Sequence, residues 1–279
     1  MMQNMILSIT KKEIMDNIRN KWIIIITILF ASLTLFASYA GSIFSEGWQD
    51  LGVTISVMSG LVNFLVTIIA LILGYSTIVG EIELGSMNSL LSLPVNRLEI
   101  ILGKFLGLGA VLTFTILVGF GLAGIVIGIN VPNVDYVEYL VFIGTTILIG
   151  LVFLNIGILL SCLFKKRSTA MGAAIFVFFL FTIIWQFIVA ALLILTASID
   201  IENMTIPDWY FALNFFNPLS CYGSIVSLNV SAVSIGSREF INQIYPSFYN
   251  TTNMLIALLI WLIIPLILAY FIFKNKDVQ

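Results

Sequence analysis

The sequence has no histidine, two cysteines and few charges, and each shortage narrows what the chain can be. Without histidine, a His-ligated metal site and a His-based catalytic triad are both excluded. The cysteines, Cys162 and Cys221, are too few for a disulfide framework. Charged residues make up 9% of the 279 positions, against about 25% in a soluble domain. So little charge cannot cover a protein of this size in water. A net charge of −2 implies no nucleic-acid partner. No G-x-x-x-x-G-K-[ST] phosphate loop occurs: Gly103-Lys104 lacks both the upstream glycine and a following Ser or Thr.

What is present is apolar. Hydrophobic residues are 60% of the chain and the mean hydropathy is +1.13. Several runs exceed the roughly 18 apolar residues that mark a membrane span. The fold class expected is an all-α membrane protein forming one transmembrane domain over 1–279. Six spans are predicted, at about 22–40, 57–78, 105–129, 139–164, 168–197 and 253–273. Ser38-Tyr39-Ala40 resembles a cleavage site, but the apolar run before it is too long for a signal peptide, and an uncleaved anchor is expected. With the N- and C-termini cytoplasmic, every Lys and Arg except Arg238 falls inside, and Glu46, Asp50, Asp135, Glu138, Asp200, Glu202, Asp208 and Glu239 fall outside.

The six predicted spans contain no Asp, Glu, Lys or Arg. Ion-coupled transporters place ionisable relays at membrane depth, and intramembrane proteases place catalytic pairs there. A transporter without a relay is a passive channel or borrows its energy, and a separate ATPase would supply it. Asn63, Asn155 and Gln186 are the candidate substrate-path residues; hydrogen bonds between helices, worth about 0.6–2 kcal/mol each, are the plainer account of them. Gly103-x-x-x-Gly107 and Gly124-x-x-x-Gly128 admit close helix packing, within the chain or in a dimer.

Three other segments carry a pattern. Residues 1–21 combine Lys11, Lys12, Arg19 and Lys21 with a stripe of Leu7, Ile14, Ile18 and Trp22, which fits an N-terminal interfacial helix or a solvated basic leader. Residues 198–252 hold ten aromatics, among them Trp209, Phe215, Phe216 and Tyr245. That connection far exceeds an ordinary loop, so a structured outer cap between spans 5 and 6 is expected. It also carries sequons at Asn203, Asn229 and Asn250, and two isolated sulfurs, Met204 and Cys221, that make a poor soft-metal site.

The third segment, Gly80–Lys104, is charged and lies between two spans. Glu81 and Glu83 suit a helix N-terminus. Met87, Leu90, Leu91 and Leu93 recur at near-helical spacing, Pro94 ends that helix, and Arg97 begins the next. A helix lying across the cytoplasmic face suits the groove of a partner or the membrane surface equally.

Gly80-Glu81-x-Glu83-x-Gly85-Ser86-x-x-x-x-Leu91-Ser92-x-Pro94-Val95-x-Arg97, followed by Ile101-Leu102-Gly103-Lys104, resembles the signature of ABC-2-type transporter permeases. Ser86 stands where the family usually has Thr. Lys12-Glu13-Ile14 and Arg19-Asn20-Lys21-Trp22 resemble the family's connecting helix, and with Asn217-Pro218 they are most similar to its NosY-like branch. The resemblance implies an exporter permease of six spans, acting as a dimer in the plasma membrane with two cytoplasmic ABC ATPase subunits. ATP and Mg would bind those subunits, and no cofactor, metal or catalytic residue is expected in this chain. The implied coupling residues are Glu81, Glu83, Gly85, Ser86, Leu90, Leu91, Pro94 and Arg97, on a helix of about Glu81–Leu93. The branch suggests a role in export or maturation of a copper enzyme. The alternative is a membrane anchoring or assembly protein without a transport path.

Overall fold

In the computed structural model, residues 2–19, 21–44, 51–92, 94–130, 135–196, 207–230 and 245–276 are described, and among them there are helices and no strands. Chain with no water around it must satisfy its backbone internally, and a helix does so within one segment. Among the described residues, five stretches are long and apolar enough to cross a membrane: Thr54–Glu83, Arg97–Ile129, Tyr136–Leu163, Arg167–Leu195 and Thr251–Lys274. They match the five predicted spans that begin near residues 57, 105, 139, 168 and 253.

The chain opens with α1 (Met2–Arg19) and α2 (Lys21–Phe44), a continuous helix of 24 residues. The next stretch is built from α3 (Leu51–Leu61), a π-helical turn at Val62–Val66, α4 (Thr67–Tyr75) and α5 (Val79–Glu83). After α6 (Ser86–Leu91) come α7 (Arg97–Asn130) and α8 (Tyr136–Leu163). Helices α9 (Arg167–Phe179) and α10 (Trp185–Leu195) flank a second π turn at Leu180–Ile184. Short helices α11 (Asp208–Leu213) and α12 (Pro218–Asn229) precede α13 (Thr251–Lys274).

Helix α8 is the centre, buried along most of its length. On one side it meets α4 so closely that a Cβ on Gly74 would stand 2.8 Å from the Cα of Gly157. On the other it meets α13 and α12, where Tyr222 is fully buried and its hydroxyl lies 3.4 Å from Thr146 Oγ1. The side chain of Asn155 on α8 donates to the Leu262 carbonyl at 2.9 Å, three residues before Pro265, which lies inside α13 and supplies no N–H of its own. Helices α9 and α10 lie at the edge, with Phe176, Phe187 and Leu195 exposed.

Helix α1 runs along the start of α7. Gly103 and Gly107 leave room for it: a Cβ on Gly103 would be 2.7 Å from Ile9, and one on Gly107 would be 2.5 Å from Glu13. The first small-residue pair therefore serves packing within the chain. Leu7 and Met15 are exposed on the other side, and Ile18, also exposed, lines an apolar groove with Ala110 and Phe114 of α7. In the second pair, Gly124 and Gly128 face the rings of Tyr139 and Tyr136.

Helix α7 begins at Arg97, where the sequence placed the restart after Pro94. Glu99 accepts the Asn96 N–H at 2.8 Å, a cap that starts the helix just after Pro94 and carries Lys104 two turns into it. In the aromatic connection, Asn217 caps α12 by accepting from the Leu219 N–H, with Pro218 in the first turn. Rings of Phe211, Tyr245 and Tyr249 cluster beside it. Asn229 donates to Ile225 and Thr251, and Asn250 caps α13, so both sequon side chains have structural partners. Asn203, Met204 and Arg238 lie outside the described residues.

Candidate coupling site at the basic end of the bundle

One end of the bundle gathers α1, α5, α6, the start of α7, the end of α8, the start of α9 and the end of α13. Lys11, Lys12, Arg19, Arg97, Lys104, Lys165, Lys166, Arg167, Lys274 and Lys276 are all there. The opposite end holds Asp135 and Glu138 at the start of α8.

The coupling stretch was expected as a single helix over Glu81–Leu93, and it forms two short ones. Helix α4 breaks at Ser76–Ile78, and α5 restarts with two free N–H groups at Ile78 and Val79. Ser161 of α8 accepts both, at 2.8 and 2.9 Å. Gly85 then takes a left-handed conformation, φ +72°, that an L side chain rarely adopts, and α6 begins at Ser86. Helix α6 ends at Leu91, before Pro94, and Leu93 lies outside the described residues. Met87 is fully buried and Leu90 and Leu91 pack against the core, so the apolar side of α6 belongs to this chain's own interior. Among the described residues, the stretch from Glu81 to Pro94 exposes Glu83, Leu84, Gly85, Ser86, Asn88, Ser92 and Pro94. Leu84 is 81% exposed, a large apolar side chain at the tip of the turn.

The charged residues reach back to neighbouring helices, Glu83 from an exposed position. Glu81 Oε1 lies 2.9 Å from Lys104 Nζ and 3.5 Å from Lys12 Nζ. Lys104 also pairs with Glu13 of α1 at 2.7 Å, and it is 1% exposed. A lysine so buried is retained only when paired. Glu83 accepts the backbone N–H of Arg167 at 2.7 Å, placing a carboxylate at the N-terminus of α9. Arg97 directs Nη1 at the carbonyls of Phe273, Lys274 and Lys276, the last at 2.7 Å, which caps α13. Lys276 in turn donates to the carbonyls of Cys162 and Phe164 at 2.8 and 2.6 Å, which caps α8. Burial pulls the Lys276 ammonium below the usual lysine range.

The three candidate path residues are dispersed. Asn155 is tied to α13 through its Nδ2, while its buried Oδ1 has no hydrogen-bond partner. Asn63 sits in the first π turn, half-buried, with Oδ1 lacking a hydrogen-bond partner. Gln186 is exposed on α10 just after the second π turn, next to Trp185, whose buried Nε1 also has no partner. Such turns are frequent at functional sites, and unpartnered buried polar atoms call for an explanation.

A family model described as ABC-2 family transporter protein matches residues 7–278. The chain is 33% identical to the probable ABC transporter permease protein NosY of Stutzerimonas stutzeri, over 98% of this chain and 99% of that protein. It is 31% identical to the protein of the same name from Pseudomonas aeruginosa, over 97% and 98%.

The chain belongs to the ABC-2 transporter permease family.

It is therefore a multi-pass membrane permease of an ABC transporter, and the family carries an ATPase partner with it. Within the permease, sequence reasoning placed Glu13 and Lys104 at this end but missed their pairing, and it missed Leu84 and Ser161. Glu13 carried a signal: an acid directly beside Lys11 and Lys12 on a short basic helix. Ser161 carried none, because a serine in an apolar helix looks the same whether or not a distant helix breaks beside it.

Proposed function

We propose that this chain is the permease subunit of an ATP-driven ABC-2-type exporter, coupled through Val79–Arg97 to a separate cytoplasmic ATPase. The observation that carries this reading is the exposed Leu84–Gly85–Ser86 tip. It stands at the basic end, while its carboxylates, Glu81 and Glu83, reach back to α7, α1 and α9. Such an element offers a partner an apolar contact and has fixed attachments to three helices behind it.

In this reading the basic end is cytoplasmic, as the positive-inside rule supports, and α2 is a sixth span. At about 1.5 Å per residue its 24 residues reach about 36 Å, enough to cross the roughly 30 Å hydrocarbon layer. Both termini then lie in the cytoplasm, 1–279 forms one transmembrane domain in the plasma membrane, and α11 and α12 form an outer cap. Two permease copies pair with two ATPase subunits, which hold the ATP and Mg; this chain binds no cofactor itself. ATP closes the ATPase dimer, the tip moves, and spans of the two copies rock to open an outward path. Asn63 and Gln186, beside the two π turns, are the path candidates; Asn155, hydrogen-bonded to α13, fits a packing role better. A cargo connected with export or maturation of a copper enzyme rests on the sequence resemblance to the NosY-like branch alone.

Charge reversal at both Glu81 and Glu83 tests the coupling. The expected result is a complex that hydrolyses ATP without transport, with the permease still in the membrane. Unchanged transport would contradict it and favour an anchoring or assembly protein.

A further inference from the structure

Lys104 joins three parts of the permease that are far apart in sequence. Its ammonium lies 2.7 Å from Glu13 of α1 and 2.9 Å from Glu81 of α5, and the lysine itself belongs to α7. We infer that Lys104 is the joint through which movement of the coupling stretch reaches α1, so that α1 swings with α5 and α7 as one lever instead of resting as a passive surface anchor. This rests on the coupling role given to Val79–Arg97.

Two features make the group a joint. First, the attachment is on one side only. Ile9, Thr10 and Glu13 face α7, where Gly103 and Gly107 let the backbones approach and the Thr10 hydroxyl donates to the Gly103 carbonyl at 3.3 Å. The other side of α1, with Leu7 and Met15, is exposed and apolar, which suits sliding against lipid. Second, the attachment is ionic. Charge attraction falls off as the inverse of distance, whereas packing contacts vanish within an ångström of separation. An ammonium buried between two carboxylates therefore keeps its partners through small displacements, and full separation would strand a buried charge. Glu81 adds slack: Oε1 serves both Lys104 and Lys12, while Oε2 is buried without a partner, so the carboxylate can turn and still hold Lys104.

Electron–electron distances between spin labels test the joint. The labels go on Met15→Cys of α1 and Ser168→Cys of α9, both exposed, in a chain carrying Cys162→Ala and Cys221→Ala. The assembled permease–ATPase complex is measured in lipid nanodiscs without nucleotide and after trapping with ATP and vanadate. The unaltered joint is expected to give a shifted distance on trapping. Lys104→Met is expected to retain the ATPase and its hydrolysis but lose the shift, and Lys104→Arg to restore part of it. Glu13→Gln, which keeps the side-chain shape, repeats the comparison if the Met variant does not fold. A shift that persists in Lys104→Met or in Glu13→Gln overturns the joint, as does an unaltered complex whose α1 does not move. An unaltered chain that purifies without any ATPase overturns the exporter reading, and this inference with it.

Discussion

The Glu83 carboxylate accepts the Arg167 backbone N–H at 2.7 Å, so the coupling stretch supplies the cap of α9. Glu83→Ala removes that acceptor and leaves the first turn of α9 open. For an exposed, charge-assisted bond the cost is about 1 kcal/mol. Amide exchange in the first turn of α9 is expected to rise roughly fivefold, with other spans unchanged. Equal exchange in wild type and variant would show that the cap carries nothing.

Close packing of α4 on α8 depends on Gly74 and Gly157. A Cβ on Gly74 would stand 2.6 Å from the Leu154 carbonyl oxygen, and one on Gly157 would stand 2.9 Å from the Gly74 Cα, both backbone atoms that do not yield easily. Gly74→Val and Gly157→Val are expected to lower the melting temperature in detergent sharply, consistent with overpacking costs of about 1–3 kcal/mol or more. Gly121→Ala and Gly144→Ala, where a Cβ meets nothing within 4 Å, are expected to leave it unchanged or raise it. Similar melting temperatures for all four variants would contradict the packing.

Much of this architecture was legible from composition. Long apolar runs fix where helices lie, and the placement of Lys and Arg groups their ends, because both follow from the cost of burying polar groups. The helix stop before Pro94 was legible for the same local reason. What stayed hidden depends on distant neighbours. Glu81 and Glu83 looked like the start of one helix, yet Glu81 pairs with Lys104 and Glu83 caps α9. The stripe of Met87, Leu90 and Leu91 suited a groove in a partner equally well, and it packs on this chain's core. Periodicity names the apolar face of a helix but not what covers it. Gly85 was visible as a family position, but the left-handed turn that presents Leu84 appears only in three dimensions.

Leu84 is the most exposed large apolar side chain among the described residues of the coupling stretch. Burying a leucine contributes about 1.5–3 kcal/mol, and exposed apolar anchors often dominate an interface. Leu84→Asp is expected to weaken ATPase binding by tenfold or more in a co-purification titration, while the permease keeps its own melting temperature. Undiminished binding would remove Leu84 from the interface.

Both cysteines are buried. Burial pushes the Cys221 thiol up to about 12, so almost none is thiolate at neutral pH, and its Sγ lies 3.2 Å from the Asn214 carbonyl. Neither cysteine is expected to react with maleimide at pH 7 in the folded permease, and both are expected to react after denaturation. Raising the pH to 9 should add little for Cys221, because 9 is still far below 12. Rapid labelling of the folded protein at pH 7 would contradict the packing around α12.

The most direct measurement is purification of the tagged permease in mild detergent, with identification of what accompanies it and an assay of ATP hydrolysis. The expected result is a stoichiometric ATPase subunit bearing the phosphate loop that this chain lacks, with activity in the complex and loss of that subunit on Leu84→Asp. A permease that purifies alone, without hydrolysis, under conditions that hold known transporter complexes together, would contradict the coupling account.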